Sequence, residues 1–199
     1  MNFLSHLLLS GENPEVKFGN FIGDSVKGRQ FKKFPENIQK GIILHRFIDT
    51  YTDNHKIIKS SKRLLNPKFR HYKGVIIDVF NDHFLSQDWS NYCQISIPEF
   101  LIDFEEIYTN LKFQLPSASE DFYSRFIALN FMSKYDKPSG IENTLKGLEK
   151  RINYKVPLAD AMKDFDRHYH IFEHYFKVFF PEIIEQCEYQ LNHNLKSLK

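Results

Sequence analysis

Between Gly41 and His55 the chain sets His45, Asp49 and Asp53 at successive steps of four, with Leu44, Phe47, Ile48 and Tyr51 among them. Residues four apart are surface neighbours on a helix, so this spacing predicts one, with its acidic stripe beside its apolar face. A second stretch answers it. Asp78 and Asp82 repeat the four-residue step among Ile77, Val79, Phe80 and Leu85. Carboxylates are rarely placed so close to a core unless they are paired or bind a cation. The pattern predicts two helices that face each other and hold a metal. For any one pair the competing explanation is an N-cap, a salt bridge or a solvated face. Three acidic clusters together, each flanked by apolar residues, favour the metal.

The rest of the chain reads with the same period. No alternating strand pattern of useful length occurs, and Val75–Ile77 sits in a helical frame. A first helix is expected over residues 2–10. Asn13-Pro14 starts a second, running to about Val26, and a basic loop from Lys27 to Lys33 follows. Pro35 opens the helix with the central stretch, and a short continuation reaches Leu65. Asn66-Pro67 is a turn, and a long helix from Tyr72 to about Asn91 carries the second acidic pair. Ser96 and Glu99 form a capping-type start for a helix to about Phe113. Further helices are expected near 119–135 and 140–152. A long last one opens at Pro157, with Pro181 interrupting or restarting it. The expected architecture is all-α, one domain of about eight helices over residues 1–199.

Twenty phenylalanines and ten tyrosines in 199 residues are enough for a sizeable core. No apolar run approaches the roughly 20 residues of a membrane span. The first ten residues, with His6 inside a short apolar run, read as a core helix. Cys93 and Cys187 indicate no disulfide framework, so the cytoplasm is the expected compartment. The net charge of +2 is uneven: residues 1–80 carry +7 and the remainder −5. A basic half containing the candidate site suits an anionic substrate or an acidic partner. No nucleic-acid module, P-loop, dinucleotide fingerprint or nucleophile elbow is present.

The residues with chemistry to offer are Asp24, His45, Asp49, Asp78, Asp82 and His83. Imidazole with several carboxylates suits a divalent cation such as Mn, Fe, Mg or Zn. Asp82 and His83 are adjacent, so their side chains diverge by about 100° and at most one should aim at an ion shared with Asp78. Asn20 and Asp24 share a face if the second helix reaches them. Gly19 and Gly23 beside them would let a neighbouring helix or a substrate come close. His6 reads first as a core histidine and second as a site residue. Asp53 and His55 read as rim or capping groups. Arg46, Arg70, Tyr72 and Lys73 are candidates for gripping a phosphate. Lys27, Arg29, Lys32 and Lys33 read as an external basic patch. Asp166, His168, His170 and His174 could bind an adventitious metal. The aromatic stripe of Phe165, Tyr169, Phe172, Phe176 and Phe180 reads as core packing.

Several motifs taken together resemble one family. They are MNFLSHL at 1–7, GNFIGDSVKG at 19–28, HRFIDTYTDN at 45–54, DVFNDHFL at 78–85, DFDRHY at 164–169 and FFP at 179–181. They resemble the acyl carrier protein phosphodiesterases, regarded as a divergent branch of the HD-type metal phosphohydrolases. The match spans nearly the whole chain and is less clear over 93–160. It implies an HD-like helical fold and hydrolysis of the phosphodiester joining 4′-phosphopantetheine to a serine of holo acyl carrier protein. It also implies manganese as the working metal, and the ligand set Asp24, His45, Asp49, Asp78, Asp82 and His83. Asp24, His45, Asp49, Asp82, His83 and Arg46 would be catalytic. Lys27, Arg29, Arg46, Arg70, Tyr72 and Lys73 would bind substrate. The consecutive His-Asp doublet of the wider superfamily stands here reversed, as Asp82-His83. The alternatives are an HD-type hydrolase of a nucleotide or other small phosphoester, and a carrier-protein-binding regulator without catalysis.

Overall fold

A computed structural model describes residues 3–115 and 137–195. Among these residues there are eight α-helices, joined by short 3₁₀ turns, and no strand. They are α1 (Phe3–Leu8), α2 (Pro14–Phe21), α3 (Glu36–Asn54), α4 (Lys56–Leu64), α5 (Lys73–Gln87), α6 (Ile97–Leu111), α7 (Pro138–Arg151) and α8 (Met162–Tyr189). The all-α expectation holds. The helix expected near 119–135 lies outside the described residues.

Local chemistry accounts for most of the boundaries. Asn13 caps α2 by accepting from the Glu15 and Val16 amides, with Pro14 at the first helical position. Ser96 and Glu99 close a reciprocal capping box at the start of α6. Three boundaries differ from expectation. α2 stops at Phe21, so Asp24 stands on a 3₁₀ turn, Gly23–Ser25, beyond the helix end. A second 3₁₀ turn, Gly28–Lys33, forms the basic loop, with Gly28 at a φ of 53°. Pro181 does not break α8. Buried Phe179, Phe180, Ile183 and Cys187 hold the helix continuous around it, and the non-helical residue is His168 instead. Packing here outweighs the cost of a proline in a helix interior.

α2 and α3 form the closest pair, and two glycines make it so. A Cβ on Gly41 would lie 2.1 Å from the Val16 carbonyl oxygen, and one on Gly19 would lie 2.2 Å from that of Ile38. Backbone meets backbone here, which any side chain would prevent. α1 packs on α2 and α5, and α8 crosses α3, α4 and α5. The core between them is rich in phenylalanine, with Phe18, Phe21, Phe69, Phe80, Phe84 and Phe104 almost wholly buried. Among the described residues no helix is long and apolar enough to cross a membrane.

Candidate metal centre

The crossing of α1, α2 and α3 brings two imidazoles face to face. The rings of His6 and His45 stack with centroids 4.2 Å apart and planes 21° apart. Both are buried, and Asn20 of α2 fixes both. His45 Nδ1 donates to the Asn20 carbonyl at 2.8 Å, and His6 Nδ1 donates to Asn20 Oδ1 at 2.8 Å. The Asn20 amide nitrogen is already donating, to the His6 carbonyl and to Ser10 Oγ, so its oxygen must face the ring. Both Nδ1 atoms therefore carry their protons, and both Nε2 atoms are the ones left to bind something else.

Those Nε2 atoms face carboxylates. His45 Nε2 lies 3.1 Å from Asp24 Oδ1 and 3.2 Å from Asp49 Oδ2. His6 Nε2 lies 3.3 Å from Asp49 Oδ1 and has no hydrogen-bond partner. A bare nitrogen lone pair aimed at a carboxylate oxygen is repulsive, so each position calls for a proton or a cation. Ring electrostatics divide the two. For His45, burial opposes the charged ring, but the carboxylates of Asp24 and Asp49 outweigh it and raise its pKa to about 9. For His6, burial dominates, the neighbouring His45 adds to it, and the pKa falls to about 4. Burial pushes Asp49 up, yet the hydrogen bond from His45 and the His6 ring beside it hold it far below the usual carboxylate range. Asp24, mostly exposed, is lowered chiefly by its hydrogen bond with His45.

Without a metal, then, the centre traps a proton on His45 between two carboxylates and leaves His6 neutral. Nitrogen and oxygen donors of His6, His45 and Asp49 all lie within 4.8 Å of one another, close enough to meet at one ion. This donor set suits Mn, Fe or Zn. Gly23 keeps the ring's place clear: a Cβ there would lie 2.4 Å from His45 Cγ. The same glycine lets the 3₁₀ turn lay Asp24 against the imidazole.

The other sequence candidates take varied places. Asp78 and Asp82 stand on α5, outside the three-donor group. Burial raises both, and Asp82 reaches about 7. Asp82 is fully buried; Oδ1 accepts from Ser5 Oγ at 2.8 Å, and Oδ2 has no hydrogen-bond partner. His83 diverges from Asp82 as the helical step requires, and its ring meets the edges of Phe165 and Tyr169. Arg46 donates to the Val26 carbonyl at 2.7 Å and lies over Phe31, tying the basic loop to α3. Lys73 donates to the Leu65 carbonyl, and Tyr72 packs on His71. Arg70 is exposed, at a φ of 48° that side chains rarely adopt. Lys27 and Arg29 are exposed. Asp53 pairs with Lys62, and His55 pairs with Glu182. Asp166 and His170 are exposed, with His170 beside Glu173.

Two residues carry more of the centre than the sequence suggested. His6 looked like a core histidine because it sits in an apolar helix; only the approach of α1 to α3 aims it at Asp49. Asn20 looked like a neighbour of Asp24 on one helix face. Its role as the shared anchor of both rings had no signal beyond the step of four.

The molecule is thus an all-helical protein with two buried, stacked histidines facing carboxylates, their donor atoms close enough together to meet at one ion. A family model described as acyl carrier protein phosphodiesterase matches residues 1–183. The chain belongs to that family. A relative from Enterobacter sp. (strain 638), named acyl carrier protein phosphodiesterase, is 31% identical over 196 residues, covering 94% of this chain and 98% of its own. A relative of the same name from Escherichia coli O139:H28 is 32% identical over 197 residues, covering 96% and 99%. No solved structure matches.

Proposed function

We propose that the protein is a metal-dependent phosphodiesterase that hydrolyses the bond between 4′-phosphopantetheine and the serine of holo acyl carrier protein. Family membership supports the substrate. The observation that carries the metal is the pair of Nε2 atoms, fixed from behind by Asn20 and facing Asp24 and Asp49. His6, His45 and Asp49 would hold the cation, with Asp24 beside them and Asp78 and Asp82 on α5 completing the acidic wall. Manganese is the metal of this reading. When bound, a divalent cation lowers the pKa of nearby water and takes up charge on phosphoryl oxygens. Kinship with the HD-type phosphohydrolases and a cytoplasmic setting belong to the same proposal.

The chain's own groups do the rest. Asn20 locks both imidazoles in the tautomer that presents Nε2, so no reorganisation is needed when the ion arrives. Asp24, on an exposed turn, stands where a carrier-bound phosphodiester would enter. Arg46 pins the turn's far end through Val26. The exposed cations of the 28–33 turn and Lys27 form a face suited to an acidic helical carrier protein. The test is direct. Purified protein with added Mn should convert holo to apo carrier protein, seen as a gel shift, and release phosphopantetheine, while nucleotides remain intact. Binding without release would leave a regulator, and hydrolysis of nucleotides alone would leave a nucleotide phosphohydrolase.

A further inference from the structure

A cleft of about 720 Å³ opens beside Asp24, between the two 3₁₀ turns, the start of α3 and the end of α6. Its size falls within the ~300–1,000 Å³ of small-molecule sites. Ser25 and Val26, the residues after Asp24, line it, so the cleft begins at the chain positions next to the candidate centre. Arg46, next to His45, holds the Val26 carbonyl and fixes that stretch to α3. Phe34 supplies apolar surface. Gln30 and Gln114 both line it, one from the basic turn and one from the turn after α6, and Lys33 is the one cation of the lining. Phe113, at the rim, is 78% exposed.

This lining is aliphatic and aromatic, interrupted by two carboxamides, the Ser25 hydroxyl and the Lys33 ammonium. A saturated fatty chain would strip water from both carboxamides and give nothing back, which costs affinity. A nucleotide would bring more negative charge than Lys33 alone can meet. A flexible chain of methylenes with two secondary amides fits both demands: its amides pair with Gln30 and Gln114, and its methylenes cover Val26 and Phe34.

Building on the function proposed above, we infer that this cleft holds the pantetheine arm of the carrier protein's prosthetic group, running from the phosphodiester at Asp24 toward Phe113. The arm's burial would position the phosphorus and reject phosphodiesters that lack it.

The experiment uses the full chain with added Mn, holo carrier protein as substrate, and free pantetheine as competitor. Gln30→Trp and Gln114→Trp narrow the cleft from two different segments without touching the core. In the wild type, pantetheine should compete with holo carrier protein. In each variant kcat/KM should fall about tenfold and the pantetheine inhibition constant rise about tenfold, with the melting temperature unchanged. A fall in kcat/KM with an unaltered inhibition constant would place the carrier protein's surface in the cleft and overturn the inference. So would competition by octanoate in place of pantetheine, or variants within about twofold of wild type. These outcomes leave the phosphodiesterase reading standing; absence of phosphopantetheine release by the wild type would remove both.

Discussion

Two helices of this protein carry histidine and acid four residues apart, His45 and Asp49 on α3 and Asp166 and His170 on α8, and among the described residues only the first pair joins a cluster of close donors. On α3, His45 is buried where α1 and α2 close over its ring and remove water from it, and Asp49 stands half-buried beside it. On α8, His170 and His174 stand on the exposed side, while Phe165, Phe172, Phe176 and Phe180 of the same helix fill the core. His170, almost fully exposed, lies 3.6 Å from a Glu173 carboxylate oxygen and beside the Tyr169 ring. The step of four is identical; the difference is which side of the apolar stripe it falls on, and whether a neighbouring backbone can come close. α3 has Gly41 for that purpose, and α2 answers with Gly19. The same residue types are therefore a strongly perturbed, preorganised cluster in one place and a solvated face in the other.

The contrast breaks most sharply at the rings. His45→Ala should lose stoichiometric Mn and lower kcat/KM on holo carrier protein by about a thousandfold, while His170→Ala and His174→Ala together stay within about twofold. Elemental analysis and the gel-shift assay read both. A metal-retaining His45→Ala would make α3 no different from α8.

Next comes the close approach itself. Gly41→Ala should destabilise the fold by about 3 kcal/mol in urea unfolding, because its Cβ meets the Val16 carbonyl and neither backbone can retreat. An alanine on the exposed Glu185 side of α8 is expected to cost less than about 0.5 kcal/mol.

Asn20→Ala should weaken Mn binding about tenfold to a hundredfold in calorimetry, through loss of the anchor shared by both rings. His6→Gln, which keeps the fold's volume and can still face Asn20, should weaken it comparably. If it does not, His6 belongs with the core histidines after all.

The perturbed titrations give a subtler readout. His45 is raised from 6.5 to about 9, so its stabilisation is fully present below pH 6.5 and lost as pH climbs through about 9. His6, lowered to about 4, acts in the opposite sense: stability falls as pH drops from 6.5 toward 4. Metal-stripped protein should lose melting temperature between pH 7 and 9.5, and His45→Asn should flatten that slope. Metal binding near neutral pH should release about one proton, seen as a buffer-dependent binding enthalpy. The smallest effect belongs to the basic face. Neutralising Lys27, Arg29, Lys32 and Lys33 together should raise KM a few fold at low salt and weaken its salt dependence, with kcat nearly unchanged.

Helical period, caps and the four-residue stripes are local properties, set by dihedral preferences and by hydrogen bonds a few residues long. For that reason α3, α5, the Asn13 cap and the Ser96–Glu99 box were legible in the chain, and so were His45 and Asp49 as a pair. The end of α2 was not, because a 3₁₀ turn carrying Asp24 is chosen by how His45 fills the space above Gly23. Nor was the continuity of α8 through Pro181, which depends on buried phenylalanines on neighbouring turns. Nothing local distinguishes His6 from a core histidine, or His45 from His170. Burial and the approach of a second backbone decide that, and both act between residues far apart in sequence, where only the folded chain brings the charges, rings and glycines together.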